Sequence, residues 1–308
     1  MNTKNLSIAL LTIFFMTNCA TPKMQHTIPK AHAHDQASKI TATNLKNGVY
    51  ALVGAGINGN VLLSTGDDGN FIIDDFSTEL TDGLLETINT IASGDIEYVL
   101  NTHWHLDHTG GNHTMGDANA TIIAHSNVRK RLSTSQKVFG FDIPAQNKAA
   151  LPVIAFDETL HVYLNNKDIE AVHVPHAHSD SDTIYFFNNI NLVHMGDIFI
   201  NQTYPFFDLE NGGSVQGVIA ALSLTLERID NKTIVIPGHG PITNKKELTQ
   251  YHAFLDGMLS KVSKQKAQGK TLEQIQAMKL TRDYDAIWDG GMISADIFIA
   301  ELFHTLQY

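Results

Sequence analysis

Within six residues the chain places His103, Trp104, His105, Leu106, Asp107 and His108. Three imidazoles and a carboxylate at that density can converge on a cation, and nitrogen and carboxylate oxygen donors suit Zn²⁺ while tolerating Fe or Mn. An apolar run ending Tyr98-Val99-Leu100-Asn101 precedes the array, and Thr109-Gly110-Gly111-Asn112 follows it. That order predicts a strand, a loop and a helix start. A loop at the C-terminal end of a strand can aim several side chains at one point.

Three more ligand types follow in order. His178 stands in Ala177-His178-Ser179-Asp180, Asp197 in His194-Met195-Gly196-Asp197, and His239 in Pro237-Gly238-His239-Gly240. Each comes after a β-branched or apolar run, over residues 169–174, 190–193 and 233–236. Strand ends are therefore expected to bring all of these donors to one rim. From about residue 48 to 243 the chain resembles the metallo-β-lactamase superfamily, on the strength of the His-x-His-x-Asp-His motif and its three followers.

The resemblance implies an α/β fold, an αββα sandwich with a dinuclear metal site at one edge of two sheets. It assigns His103, His105 and His178 to a first metal and Asp107, His108 and His239 to a second. Asp197 is assigned as the carboxylate that bridges both. The implied cofactor is two Zn²⁺ per chain, with Fe or Mn as alternatives. Such ions lower the pKa of a bound water from ~15.7 towards ~7, so no Ser or Cys nucleophile is required. Asp107 is expected to be the catalytic proton acceptor.

One departure bears on the substrate. Several β-lactamases of the family carry Cys where Asp197 stands, followed by a Lys that meets the drug carboxylate. Here the single Cys is Cys19, and residues 198–203 contain no Lys. An all-His/Asp set is closer to glyoxalase-II-like thioesterases and lactonases. Export and the context Asn101-Thr102-His103 with Gly110-Gly111-Asn112 favour a β-lactam as the first substrate. The alternatives are a lactonase of the acyl-homoserine lactone type, a glyoxalase-II-like thioesterase, or a non-enzymatic metal-binding surface lipoprotein. Asp107 argues against the last, because a pure binding site gains little from a carboxylate beside His108.

Around the ligands, Asp74 and Asp182 are expected to orient imidazoles. His176 competes with His178, and the His-Ser-x-x-Asp spacing favours His178. His125, His173 and His194 read as structural, and Trp104 as packing. Asn201, Tyr204, Phe206 and Phe207 follow Asp197 and are expected near the pocket mouth, with Tyr204 or Asn201 as donor to a developing oxyanion.

The chain has 308 residues, 43% of them hydrophobic, which allows one large domain with a full core. A net charge of −11 with no long basic run argues against nucleic acid and leaves a small molecule as the expected substrate. Lys4 and an apolar run over residues 6–16 read as an export signal, too short to span a bilayer. Cys19 just after it resembles a bacterial lipoprotein cleavage site, so residues 1–18 are expected to be removed and the protein to be exported, periplasmic or on the outer membrane, anchored by lipid. Nothing in the sequence sets an oligomeric state. Residues 19–46 read as a polar tether, 47–245 as the fold, and 246–308 as a helical extension packed on it.

Strands are expected at 49–53, 61–64, 71–74, 121–124, 160–164, 169–174, 183–187 and 192–195. The Gly-rich turn 54–60 between the first two of these is expected to be a small flap. Helical spacing predicts helices over 80–92, from Ser126 as cap, over 215–228, and in a long stretch beyond Asn244. Residues 132–152 read as a loop or broken helix near the pocket.

Overall fold

The computed structural model describes residues 40–54 and 58–305. The expected export signal with Cys19, and residues 55–57 of the expected flap turn, lie outside the described residues. Strands β1 (Thr41–Lys46), β2 (Val49–Val53), β3 (Asn60–Ser64) and β4 (Asn70–Ile73) form an antiparallel run. Helix α1 (Thr81–Ile91) then leads to β5 (Ile96–Leu100), parallel to β4. Short helices α2 (Leu106–Thr109) and α3 (Asn112–Asp117) lead to β6 (Thr121–His125), again parallel, and on to α4 (Ser126–Leu132). A separate hairpin follows, β7 (Gln136–Val138) and β8 (Phe141–Ile143), before β9 (Ile154–Phe156) completes the first sheet beside β6.

The second sheet is built in order from β10 (Thr159–Leu164), β11 (Lys167–His173), β12 (Thr183–Phe187), β13 (Leu192–His194), β14 (Ile234–Ile236) and β15 (Thr243–Asn244). Helix α5 (Val215–Arg228) crosses between β13 and β14, which are parallel. Helices α6 (Lys245–Ala267), α7 (Leu272–Gln276), α8 (Arg282–Trp288) and α9 (Ala295–Thr305) close the chain.

Period-two alternation sorts the side chains into layers. Tyr185 and Phe187 of β12 meet Leu62, Phe71, Ile73 and Leu100 of the first sheet in the inner core. Ile184 and Phe186 point the other way, onto Val215, Val218 and Leu222 of α5 and Leu248 and Leu255 of α6. On the far side, Leu52, Val61, Leu63 and Val99 pack on Leu84 and Ile88 of α1. The layers run helix, sheet, sheet, helix, the expected αββα sandwich.

Several sequence expectations need correction. Among the described residues the first strand starts at Thr41, inside the expected tether, because β1 pairs with β2 from Thr41↔Val53 onward. The strand is polar and mostly exposed, so it has no hydrophobic alternation to read. Helix α4 is capped by His125 rather than Ser126: the His125 ring nitrogen accepts from the Asn127 N–H at 3.2 Å. Residues 136–143 form a hairpin instead of a broken helix. The boundary at 245 divides no core. Leu248, Phe254, Leu255, Met258 and Val262 of α6, with Phe298 and Leu302 of α9, are buried in the same cluster as Val193 and Val235.

Strand direction places the site. β4, β5 and β6 run the same way, and so do β13 and β14; β11 shares their direction because both it and β13 are antiparallel to β12. The loops after their C-terminal ends carry Asp74, residues 101–108, His178, Asp197 and His239 to one edge of the sandwich.

Candidate metal centre

Two groups of side chains meet at this edge. His103, His105 and His178 bring one ring nitrogen each within 4.8 Å of one another, and Asp107, His108, Asp197 and His239 do the same beside them. All are buried except Asp107 and His239, which are half-buried. Asp197 reaches both groups. Its carboxylate lies 3.1 Å from His108 Nε2 and 3.3 Å from His239 Nε2 on one side, and 3.7 Å from His178 Nε2 on the other. Asp107 Oδ2 stands 3.1 Å from His239 Nε2 and 3.3 Å from His108 Nε2.

Partners on the outer side of each ring decide which nitrogen carries the proton. His178 Nδ1 donates to the Phe206 carbonyl at 2.9 Å, and His105 Nε2 donates to Asp208 Oδ2 at 2.9 Å. His108 Nδ1 donates to Asp74 Oδ2 at 2.8 Å. Thr102 Oγ1 gives its own proton to Asp74, so His103 Nδ1 donates to that hydroxyl at 3.0 Å. In the neutral rings the remaining nitrogens are bare lone pairs facing inward. His105 Nδ1 and His178 Nε2 then stand 3.0 Å apart, and His103 Nε2 is buried with no hydrogen-bond partner. Lone pairs aimed at each other across 3.0 Å repel unless a proton or a metal ion lies between them, and His103 Nε2 has neither partner nor proton to share. The donor set therefore fits a metal ion, and its nitrogen and oxygen chemistry suits zinc while admitting iron or manganese.

The two groups differ in charge, although one ring of the first is raised as well: burial opposes a charge on His105, and the Asp208 carboxylate outweighs it. Burial pushes His103 well below the ordinary histidine range and His178 down to about 4, so both are neutral, as ligands must be. Burial also opposes charge on His239, but Asp197 and Asp107 outweigh it and push the ring up to about 10. His108 is raised in the same way, with Asp197 and Asp107 again outweighing burial. Burial likewise opposes the charge on Asp107 and Asp197, and His108 and His239 overcome it, holding both carboxyls well below their usual range.

The scaffold under these side chains is local and tight. Asp74, in left-handed backbone at φ 62°, accepts the Thr102 N–H at 2.7 Å and so fixes the start of the ligand loop. Asp182 accepts from Ser179 N at 2.7 Å and Ser179 Oγ at 2.8 Å, which holds the turn presenting His178. Burial pushes the Asp182 carboxyl up to about 8 against those two donors. Gly238 lies so close that a Cβ there would fall 2.0 Å from Asp197 Oδ1, and a Cβ on Gly59 would fall 2.5 Å from His108 Cε1. Both positions leave room only for glycine.

The expected site residues fare differently. The seven donors converge, and Asp74 and Asp182 lie behind them. His176 points away and binds the Gly212 carbonyl. His125 and His173 stack on each other at 3.6 Å, and His194 meets the Asn60 carbonyl. Trp104 packs with Ala124, Val128 and Leu132. Two expectations are overturned. Tyr204 is in the core, its hydroxyl donating to Asp285 Oδ1 at 2.7 Å and its ring stacked on Phe298, so it faces the C-terminal helices and not the metal centre. Asn201 donates its side-chain amide to the Pro241 carbonyl at 2.7 Å and its backbone N–H to the His239 carbonyl at 2.9 Å. It braces the His239 loop from both its side chain and its backbone. Tyr204 and Phe207 turn into the core because they find Phe298 there, while Phe206 of the same loop stays beside His105 and His178.

Asp208 was not anticipated. It sits in Phe206-Phe207-Asp208 with no motif spacing to a ligand, and its partner His105 is 103 residues away. Asp75 was also missed: it is buried, and its Oδ1 accepts from Gly111 N at 2.9 Å, tying the first sheet to the ligand loop. The Asp74-Asp75 pair directly after a strand was the available signal.

The metallo-beta-lactamase superfamily signature matches residues 54–239. A probable metallo-hydrolase of Methanocaldococcus jannaschii is 26% identical over 227 residues, 70% of this chain and 98% of its own. A hydroxyacylglutathione hydrolase of Polaromonas sp. is 29% identical over 157 residues, and the match spans 50% of this chain and 52% of the relative, about half its length. In shape the chain is similar to a metallo-beta-lactamase from Pontibacter korlensis, at a TM-score of 0.59 and 16% identity over 71% of this chain and 99% of that one. It is also similar to a sec-alkylsulfatase from Pseudomonas sp., at a TM-score of 0.63 and 15% identity over 86% of this chain and 50% of that one. With the signature covering more than half the chain and a cation-fitting His/Asp centre at the sheet edge, the protein belongs to the metallo-β-lactamase superfamily and is a metal-dependent hydrolase.

Proposed function

We propose that this chain holds two zinc ions and hydrolyses the acyl bond of a small lactone, ester or thioester. His103, His105 and His178 would hold one ion, Asp107, His108 and His239 the other, and Asp197 would bridge them. The observation that carries the reading is the Asp197 carboxylate, which reaches both groups of donors from a position between them. When bound, such ions supply an activated water near neutral pH and polarise the carbonyl it attacks. The chain's own share is orientation and proton handling. Asp208, Asp74 and the Phe206 carbonyl fix the rings, so the inward lone pairs cannot rotate away. Asp107, half-buried and kept ionised by His108 and His239, accepts the proton of the attacking water at its carboxylate and returns it to the departing oxygen or sulfur.

A β-lactam is the second reading. It is supported by the shape shared with solved metallo-beta-lactamases and by the export expected from residues 4–19. Against it, the all-carboxylate and imidazole centre has no thiolate, and residues 198–203 offer no Lys to a substrate carboxylate. The relatives described as hydroxyacylglutathione hydrolases support the first reading.

The test is a panel run on zinc-replete protein: an acyl-homoserine lactone, a glutathione thioester and a chromogenic cephalosporin. Lactone or thioester turnover is expected to exceed cephalosporin turnover, and to stop on chelation. Asp107→Asn should keep both metals and lose about 10²–10⁴-fold in kcat, the usual worth of a positioned proton acceptor. Cephalosporin as the fastest substrate would install the second reading. A metal-replete Asp107→Asn protein with undiminished rates would remove the catalytic assignment.

A further inference from the structure

The hairpin β7–β8 places an aromatic side chain where local backbone preference disfavours one. Val138 pairs with Phe141, so the connection is the two-residue loop Phe139-Gly140, and both residues have positive φ, 52° and 77°. That is the signature of a type I′ turn, whose first central position favours Asn, Asp or Gly because their side chains tolerate left-handed backbone. A bulky residue held there needs an external reason, and such outliers cluster at ligand-binding positions.

Its environment supplies the reason. The Phe139 ring stacks on Phe206 at 3.9 Å with the planes 26° apart. Phe206 in turn stacks against His105 at 6.0 Å and meets His178 edge-on at 5.7 Å. Both phenylalanines are half-buried. Two rings thus continue outward from two imidazoles of the metal centre as one apolar wall.

The wall is braced to the same groups that orient the metal-facing rings. The Asn211 side-chain amide donates to the Lys137 carbonyl of β7 at 2.8 Å and to Asp208, the carboxylate that holds His105. Arg131 grips Asp180 through two hydrogen bonds and reaches Gln136 of the hairpin at 2.9 Å and Asn211 at 2.7 Å. The base of the hairpin therefore cannot shift without disturbing Asp208. Lys137, the cation nearest the turn in sequence, faces Asp142 across the hairpin at 3.6 Å.

We propose that Phe139 and Phe206 form the substrate-recognition wall of this hydrolase and select an aromatic or bulky apolar group attached to the carbonyl being hydrolysed. A planar group stacks on this surface with little loss of freedom, because the rings are already fixed. The assignment deepens the proposed function and rests on the metal-centre reading, though not on any one leaving group.

The test compares phenylacetohydroxamate with acetohydroxamate, binding to full-length, zinc-replete protein by titration calorimetry. Both carry the same metal-binding head, so their difference isolates the wall without requiring hydrolysis. Phenylacetohydroxamate is expected to bind about tenfold more tightly, in line with the contribution of an aromatic stack. In Phe139→Asn, a residue that suits the turn, the preference should fall below about threefold, with acetohydroxamate affinity unchanged. Phe206→Leu should reduce the preference as well. Equal affinity for the two hydroxamates in the natural protein, or full preference retained in Phe139→Asn, overturns the wall alone. Binding of neither overturns the metal-centre reading and the wall with it.

Discussion

Four of the five imidazoles in the centre, His103, His105, His108 and His178, are each fixed from behind by one partner, and those partners are of unlike kinds. Asp208 and Asp74 are carboxylates, Phe206 offers a carbonyl and Thr102 a hydroxyl. The inward nitrogens are alike, but the charge around them is not. His103 and His178 are neutral without a metal, whereas His108 and His239 are raised, His239 to about 10. A cation entering the second group must displace protons at neutral pH, and one entering around His103 and His178 displaces none from those two. Metal occupancy of the Asp107, His108 and His239 group should therefore weaken first as pH falls through the neutral range, while the other group, where His105 is raised by Asp208 and His103 and His178 stay neutral, should hold its ion to lower pH. Metal analysis after gel filtration at a series of pH values should pass through a plateau of one ion per chain. Simultaneous loss of both ions would contradict this ordering.

At the scale of elements, parallel strands do the placing. β4, β5, β11, β13 and β14 end at the same edge, and each loop beyond them has only to turn inward. What lies after the ligand in each loop is a separate matter. Beyond Asp197 the chain returns to the core, where Tyr204 packs on Phe298 and donates to Asp285. Tyr204→Phe removes that hydrogen bond while keeping the ring. It should cost about 1 kcal/mol of stability and leave kcat unchanged. Denaturant midpoints and turnover measured together check this, and a tenfold fall in kcat would mean that the hydroxyl serves the reaction.

At the scale of the whole molecule, the C-terminal helices complete the core. Six large side chains of α6, Leu248, Tyr251, Phe254, Leu255, Met258 and Val262, are buried, and α9 adds Phe298, Ile299 and Leu302. Burying each is worth about 1.5–3 kcal/mol, so their sum is at least as large as the roughly 5–15 kcal/mol net stability of most domains. A chain ending at Asn244 should lose its cooperative thermal transition and aggregate. Calorimetry of the truncated chain decides; a sharp transition with two bound metals would make the helices an accessory layer.

The seven donor positions were legible because each sits just past an apolar run in its own segment, and four of them are nearly consecutive. The helices α1, α5 and α6 were legible for a similar reason, since their buried faces repeat with helical spacing. Local order carries both signals. β1 was not legible, because a polar edge strand is held by its ladder to β2 and not by a hydrophobic face. Nor was the Phe139-Gly140 turn, whose first residue contradicts its own backbone preference. Asp208 holds His105 across 103 residues, and Tyr204 reaches Asp285 across 81. Sequence by itself determined which side chains could bind a metal and the class of fold that would gather them. Only the tertiary structure decided which carboxylate stands behind which ring and which aromatic faces the site, because the direction of a loop is set by the packing partners available on either side of it.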